Sequence, residues 1–466
     1  MERLQCSRCT HKYFQAGEQS ESSVVASSSQ AVTIPLSRQL TTDQDTFGRT
    51  FFSDQFVTPD HLAFMDDLPF DDFLSGPIIA CGLSAIANIR NSVSLRDSAR
   101  RHYATAIMAL NKALRDPVRM REDRTLIAVM LLGMYEPLSW ESSHALHSWD
   151  HHIQGAIQVV QMRGVEQLQT DFGRKLFRAL YITILLNAYT SEQPVADFYV
   201  SYCKALDADL ATQRLDTLAV LGARLAGIRA GYKRRDETDE TLERLATTLE
   251  TDLILWSEKM LADGLPPFPF DDWPGYARNE VRSCNLYRCL RIVLSRIQEA
   301  IYRRSWPHLA RSPPSPQHYR DIRERMANEI CTAVGQQLNP VSATQEARLP
   351  STGAETLAPA SVAAGFISIW VLEIAGTALL EQLADTSISP GGSRTLVLDR
   401  PLHLDPASAT SVRLGWVIGR LNMIAEERGI LWARAVSEML AGEKRILYIL
   451  GRSRFSMDYE MEDTGA

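Results

Sequence analysis

Apolar residues recur at steps of three and four along most of the chain, which is the spacing of an amphipathic helix. One such series lies between residues 95 and 115: Leu95, Ala99, Tyr103, Ala106, Ile107, Leu110, Ala113 and Leu114. Asp116-Pro117 predicts its end, because proline disfavours a helical conformation in the residue before it.

The same spacing predicts a succession of helices towards the C-terminus. Asp123 can cap the next helix, which Pro137 ends; Ser142 or Ser143 opens another, with Gly164 as its C′ residue. Later helices are expected at about 176–189, 196–231, 237–261, 277–304, 316–337, 360–384 and 408–452, with no convincing strand beyond short runs such as 395–398. Helices joined mostly by short loops predict an all-α fold, a multi-helix antiparallel bundle or array.

One stretch, Val362 to Leu380, imitates a membrane span, with Glu373 as its single charge. At about 1.5 Å per residue it could nearly cross a bilayer. Gly365, Ser368, Gly376 and Thr377 dilute its hydrophobicity, and it lacks aromatic residues at both ends. We expect a central core helix that is buried on all sides, and no membrane association.

Charge divides the chain unevenly. Residues 1–75 hold five Lys/Arg and eleven Asp/Glu, a net charge of −6, so the rest of a chain with net charge −7 is near balance. The Ser-rich run at 20–29 and the polar residues after it favour disorder. We therefore predict a mostly disordered acidic segment over 1–75, a helical domain over 76–455 and an acidic tail over 456–466. This balance gives no support for a chain-wide nucleic-acid surface.

Acidic and bulky apolar residues alternate within residues 64–74, and Pro69 prevents a continuous helix there. Two interpretations remain open for this segment. It could be an acidic activation-type or docking peptide, or a linker that packs Phe70 and Phe73 on the surface of the domain.

The common phosphate-loop, dinucleotide, metalloprotease and hydrolase motifs are absent from the sequence. Paired carboxylates at Asp66-Asp67 and Asp71-Asp72 could hold magnesium, as in all-helical terpene cyclases. That family's D-D-x-x-D spacing is not met, because Phe70 stands at the third position and Pro69 disrupts the helix. No catalytic residue is predicted.

A histidine cluster and a cysteine pair are the remaining candidate metal ligands. His147 and His151, four residues apart among His144, His147, His151 and His152, could share a helix face towards a metal, although a polar face with one buried histidine is the simpler interpretation. Cys6 and Cys9 form a C-x-x-C pair, which is half of a tetrahedral zinc site. The other five cysteines, Cys81, Cys203, Cys284, Cys289 and Cys331, are expected to be reduced and buried.

Three successive helices resemble those of a known family. Tyr103 to Leu114 is similar to an A-L-x-x-L-x-x-A-L helix, Thr125 to Glu136 to an L-L-x-x-Y-E helix, and Trp149 to Gly164 to an H-x-x-G-A…R-G helix; Ile424 to Ile430, followed by Ala433, adds to the likeness. Together they resemble the fungus-specific transcription-factor domain that follows a binuclear zinc cluster. The resemblance covers about residues 78–450.

The resemblance implies a particular origin for Cys6 and Cys9. The family's cluster has six cysteines that bind two zinc ions, in halves that each begin with C-x-x-C, and a basic run after the first half enters the DNA major groove. Here Thr10 to Phe14 is not such a run. We expect that the cluster was lost or that its first half lies upstream of Met1. Zinc is then expected only with a full cluster, and DNA contact only through that cluster or a partner.

The function that the resemblance implies is nuclear transcription regulation by a helical domain, directed at a metabolic or biosynthetic gene set. Partners would be the transcription machinery or other regulators, and the family's members usually dimerise, although no heptad seam is evident here. A co-regulator or scaffold of the same fold without DNA contact, and a magnesium-dependent enzyme, are the alternatives. Lys233-Arg234-Arg235 is either a nuclear-import signal or a solvated helix end.

Overall fold

A computed structural model describes residues 43–58, 62, 64–65, 71–140, 144–206, 210–263, 278–305, 315–338, 361–385, 395–397, 404–442 and 447–449. Fourteen α-helices lie in these ranges: α1 Gln44–Phe56, α2 Asp72–Ile89, α3 Val93–Ala113, α4 Asp123–Leu138, α5 His144–Arg163, α6 Asp171–Ser191, α7 Tyr199–Lys204, α8 Leu210–Arg234, α9 Asp239–Ala262, α10 Arg278–Ser305, α11 Pro316–Leu338, α12 Val362–Asp385, α13 Ala409–Glu427 and α14 Leu431–Leu440. The prediction of an all-α fold is confirmed.

Two long helices expected from periodicity are each divided in the structure. The prediction of one helix over 196–231 is wrong: α7 ends at Lys204 and α8 begins at Leu210. The prediction of one helix over 408–452 is also wrong, because Gly429, at φ +70°, separates α13 from α14. Beyond α14, strand β2 (Leu447–Ile449) pairs antiparallel with β1 (Thr395–Val397). The three-and-four spacing of apolar residues continues across these breaks, because a turn can leave the same face of the next helix apolar. The spacing alone therefore does not reveal the break.

Several helices begin after a residue whose side-chain hydroxyl caps the helix, which the apolar pattern alone does not show. The side chains of Ser92, Thr170, Thr238 and Ser408 each accept a hydrogen bond from the backbone N–H three residues later. The expected cap by Asp123 is wrong: α4 begins with this residue, Glu122 precedes it as the cap, and neither gives a side-chain cap. Ser142 and Ser143 lie outside the described residues.

Helix α1 lies within the segment predicted to be mostly irregular, so that expectation is wrong for residues 44–56. Phe52 and Phe56 stack at 4.9 Å and are fully buried in the common core. Close approach of α1 to α2 depends on two glycines, because a Cβ on Gly82 would overlap the Gly48 carbonyl. The burial of two phenylalanine rings makes α1 part of the domain.

Within the described residues, two helices, Asp72–Ile89 and Val362–Leu383, are long and apolar enough to cross a membrane, and 67% of an 18-residue apolar window in each is buried inside the protein. Every residue of Val362–Leu383 is at least partly buried, as expected of a core helix. Burial raises the pKa of Glu373 to about 7, against the opposing effect of the nearby Arg296.

The C-terminal helices pack on the N-terminal ones through a polar joint. Asn88 Nδ2, at the end of α2, donates to the carbonyls of Leu138 (2.7 Å) and Gly429 (2.8 Å), which end α4 and precede α14. Trp140 and Trp432 stack beside this joint at 6.4 Å. These contacts hold the two ends of the described chain together in one packed body.

Candidate regulatory core

The three helices that carry the sequence motifs meet in a buried polar cluster of Tyr103 on α3, Glu136 on α4 and His152 on α5. The Tyr103 hydroxyl donates to Glu136 Oε1 at 2.5 Å and lies 3.1 Å from His152 Nε2. His152 Nε2 is 3.6 Å from the same carboxylate oxygen. All three side chains are more than nine-tenths buried. The cluster therefore joins the motif helices by polar contacts within an apolar core.

The local sequence explains how these side chains reach one another. Tyr103 lies on the apolar stripe of α3, and its ring stacks on that of Tyr135 at 4.3 Å. Gly133, one turn before the cluster, lets α5 approach, because a Cβ there would lie 3.3 Å from His152 Cβ. The tyrosine, glutamate and glycine of α4 and the histidine of α5 thus meet through the spacing of the L-L-x-x-Y-E and H-x-x-G-A motifs.

The hydrogen-bond pattern of the cluster indicates which ring nitrogen of His152 acts as the donor. Its Nδ1 is buried and has no hydrogen-bond partner. A proton on that atom would leave a buried donor unsatisfied, so we place the donating N–H on Nε2, facing the Tyr103 oxygen. Tyr103 in turn donates to Glu136, and the chain of two hydrogen bonds is complete. Because the cluster is closed to solvent, these hydrogen bonds hold α3, α4 and α5 together inside the core.

Arg163 and Gly164, which end the third motif, hold the C-terminal end of α5 in place. Arg163 forms an ion pair with Asp123, donates to the Arg121 carbonyl at 3.0 Å and to Gln167 Oε1 at 3.1 Å. Gly164 has φ +74° and turns the chain after the helix, which confirms its prediction as the C′ residue. Asp123 therefore serves as the partner of Arg163 and not as a cap.

A second polar centre, which the sequence reasoning missed, lies on α10. This helix is buried on nearly all sides although it carries many polar residues, among them Ser283, Asn285, Arg288, Arg291, Ser295 and Glu299. Arg288, fully buried, bonds Glu329 at 3.1 Å and Asn285 at 2.7 Å. Arginine and glutamate in a helical pattern usually indicate a solvated face, and only their spacing among apolar residues could have signalled burial.

The charges of this centre connect α10 to α11 and α12. Arg323, on α11, pairs with Glu299 at 2.6 Å and lies 3.4 Å from Glu381, which also accepts from Arg296. Arg296 donates to Thr377 Oγ1 at 2.8 Å. Because each buried cation faces a carboxylate, the ion pairs offset part of their desolvation cost, and their geometry fixes the relative positions of the three helices.

The predicted histidine cluster is divided by the helix. His147 and His151 are exposed, whereas His152 points into the core; the side chain of His144 lies outside the described residues. Asp150 accepts from Asn187 Nδ2 at 2.6 Å. Among the described residues no group of three His, Cys, Asp or Glu side chains could hold a metal ion.

The acidic segment at 64–74 contacts the domain wherever it is described. Phe64 and Met65 are buried, and the ring of Phe73 lies under the Arg119 guanidinium at 5.4 Å. Asp71 caps α2 through the Leu74 N–H and bonds Arg124 at 3.0 Å. The described part of this segment thus favours the linker interpretation over a free activation peptide. Asp66, Asp67 and Phe70 lie outside the described residues. The magnesium hypothesis needs Asp66 and Asp67 and therefore stays a prediction.

The cysteines fall into two groups. Cys6 and Cys9 lie outside the described residues. Cys81, Cys203, Cys284 and Cys289 are buried and Cys331 is partly buried. Burial raises the pKa of the Cys203, Cys284 and Cys331 thiols to about 12, and it also raises the pKa of the Cys81 and Cys289 thiols. Burial therefore favours the protonated thiol over the thiolate at these five residues.

The basic run at 233–235 is partly engaged in structure. Lys233 and Arg229 both pair with Glu192, which is buried and has φ +53° at the C-cap of α6. Arg234 pairs with Asp236 at the surface. Of the three residues of the run, Lys233 thus stabilises the fold by pairing with a buried carboxylate.

Comparison with known protein families gives a match over much of the helical part of the chain. The family model described as the fungal specific transcription factor domain matches residues 71–347, which is more than half of the chain. That range holds α2 to α11 and therefore both polar centres, apart from the α12 side of the second. No curated protein and no solved structure matches the chain.

Proposed function

Because this chain belongs to the family with the fungal specific transcription factor domain, we propose that it is a transcription regulator of the fungal zinc-cluster type that acts through its helical domain. The family match carries the proposal, and it establishes a role in transcription regulation generally. The finer assignments are ours: nuclear localisation, control of a metabolic or biosynthetic gene set, and partners in the transcription machinery.

The packing of the described residues supports a regulatory body more than a catalytic one. Its two polar centres are closed and internally paired, so their groups hold helices together and offer no reacting atom to a substrate. A body fixed in this way presents constant outer surfaces to partner proteins. We infer that regulation operates through contacts on those surfaces, while DNA contact depends on a zinc cluster or a partner.

A reporter assay tests this function. The full chain is fused to an unrelated DNA-binding head in a fungal host, and the output of a promoter carrying the head's site is measured against the head alone. We expect a change in output, in either direction, with the fusion in the nucleus. Unchanged output from a fusion present at the same level in the nucleus would contradict the proposal.

The co-regulator alternative rests on Gln5 to Thr10, which supplies only one C-x-x-C pair. Full-length protein with zinc is tested by mobility shift on random double-stranded DNA, and its zinc content is compared with that of a Cys6→Ser/Cys9→Ser variant. We expect no sequence-specific shift by this chain alone, with DNA contact through a partner. A specific shift that the double variant loses would instead show direct DNA contact through these thiolates.

A further inference from the structure

The outer side of α3 and the turn after it form a surface on which exposed apolar and basic side chains are mixed. Met108 and Val118 are 66% and 73% exposed, values that are high for large apolar residues in a folded domain. The three residues of this surface that lie on α3 are spaced by seven and four, so they share one side of the helix, and the others lie in the turn after it. We call it the α3 face, and it consists of Arg101, Met108, Lys112, Arg115, Val118 and Arg121.

The positive charge of the α3 face is not neutralised within the described structure. Its four cations are exposed, and none forms an ion pair with a described residue, whereas the neighbouring Arg124 and Arg163 are both paired. Residues 101–121 contain five Lys/Arg and one Asp, a net charge of +4 with His102 neutral. The single acid, Asp116, accepts from the N–H groups of the turn. The face is therefore basic with an apolar centre.

The most acidic segment outside the described residues has the opposite character and lies at residues 455–466. Residues 455–466 contain four Asp/Glu and no Lys/Arg, a net charge of −4. Phe455, Met457, Tyr459 and Met461 alternate with other residues there, three of which are acidic. Residues 1–42 do not offer this complement, because they contain four Lys/Arg and three Asp/Glu.

The length of residues 455–463 also matches the length of the α3 face. From Arg101 to Lys112 the helical part of the α3 face extends roughly 17 Å at the rise of an α-helix. The nine residues 455–463, when extended, reach about 30 Å and can cover that length. A tether to the same chain also gives such a segment a high effective concentration at its site.

We propose that residues 455–463 dock on the α3 face of the same chain. The acidic side chains contact the rim of arginines and lysine, and the aromatic and methionine side chains cover Met108 and Val118. A nucleic acid would use the cations but not the two apolar residues, so the mixed surface favours an acidic-apolar peptide. The inference stands on charge and apolar pattern, and does not depend on the proposed function.

Site-directed photo-crosslinking of the full chain tests the docking. Met108 is replaced by p-benzoylphenylalanine, and an equal amount of isotope-labelled chain is mixed in before irradiation. We expect crosslinks to residues 455–463 within one chain, identified by peptide mass. An Asp458→Lys/Glu460→Lys/Glu462→Lys variant should lower the yield about tenfold, since three rim ion pairs are lost.

Two controls keep the result specific. An Arg101→Glu/Lys112→Glu/Arg115→Glu variant should lower the yield equally and regain it when combined with the tail reversal. Reversing three exposed cations elsewhere, Lys204, Arg244 and Lys259, makes the same change in net charge and should leave the yield unaltered. A parallel sample also contains double-stranded DNA. Crosslinks mainly to another segment, to the labelled copy or to that DNA would overturn the proposal.

Discussion

Replacing Tyr103 with phenylalanine removes one hydroxyl from the candidate regulatory core and keeps the ring that stacks on Tyr135. In the wild type this hydroxyl donates to Glu136 Oε1 at 2.5 Å and accepts from His152 Nε2 at 3.1 Å. Its loss leaves a buried carboxylate and a buried ring N–H without their partner. Water cannot readily replace the hydroxyl, because all three residues are more than nine-tenths buried.

The cost can be worked from these two contacts. A hydrogen bond to a charged group and an unsatisfied buried donor together amount to about 3 kcal/mol of unfolding free energy. Over the roughly 330 described residues, the entropy of unfolding is about 0.7 kcal/mol per kelvin, so the change corresponds to a drop of ~4 °C in melting temperature.

Thermal unfolding of the full chain, followed by circular dichroism and scanning calorimetry at neutral pH, measures this drop. Tyr232→Phe is the matched control: its ring packs on Arg304 at 4.1 Å, its hydroxyl makes no hydrogen bond in the described structure, and the change should stay within about 0.5 kcal/mol. If Tyr103→Phe and the control shift the melting temperature equally, the cluster does not fasten the motif helices.

Three further predictions concern other parts of the core. Gly82→Ala should detach α1 and lower the melting temperature by several degrees, because its Cβ overlaps a backbone carbonyl, whereas Gly227→Ala, with no atom near its added Cβ, should be neutral or slightly stabilising. Arg323→Leu should cost about 3 kcal/mol by removing one of the two cations that face each of the buried Glu299 and Glu381, which keep Arg303 and Arg296, against about 0.5 kcal/mol for the exposed pair lost in Arg434→Leu. Glu373→Gln should stabilise the protein increasingly as pH rises from about 4.5 to 8, since a carboxyl whose folded pKa is raised to about 7 costs stability once it must ionise in the core.

Each of these has a measurement and a contrary result. Limited proteolysis at residues 44–56 reports the release of α1, and equal cleavage of both glycine variants would exclude a packing effect. Urea unfolding compares the two arginine variants, and similar midpoints would mean that the buried network carries no more weight than a surface pair. Melting temperatures across the pH series test the glutamate, and a constant difference between variant and wild type would refute the raised pKa.

Local pattern determined the helical class of this protein and most of its helices. Apolar steps of three and four place side chains on one face of a helix whatever packs against it, so α3, α9, α10, α11 and α12 were predicted to within a few residues. The glycine that ends α5 was equally readable, because only a residue tolerant of positive φ suits that position. The motif residues also identified the family.

Only the tertiary structure decided which polar residues were buried and with what partners. Glu136 and His152 are 16 residues apart on different helices, and Arg323 meets Glu381 across 58 positions; no local rule relates such pairs. The divisions of 196–231 and 408–452 depended likewise on what each half packs against, and α1 became helical core because Gly48 and Gly82 let it approach α2. Sequence sets the periodicity of each segment, whereas the partner of a buried charge is fixed when the segments meet.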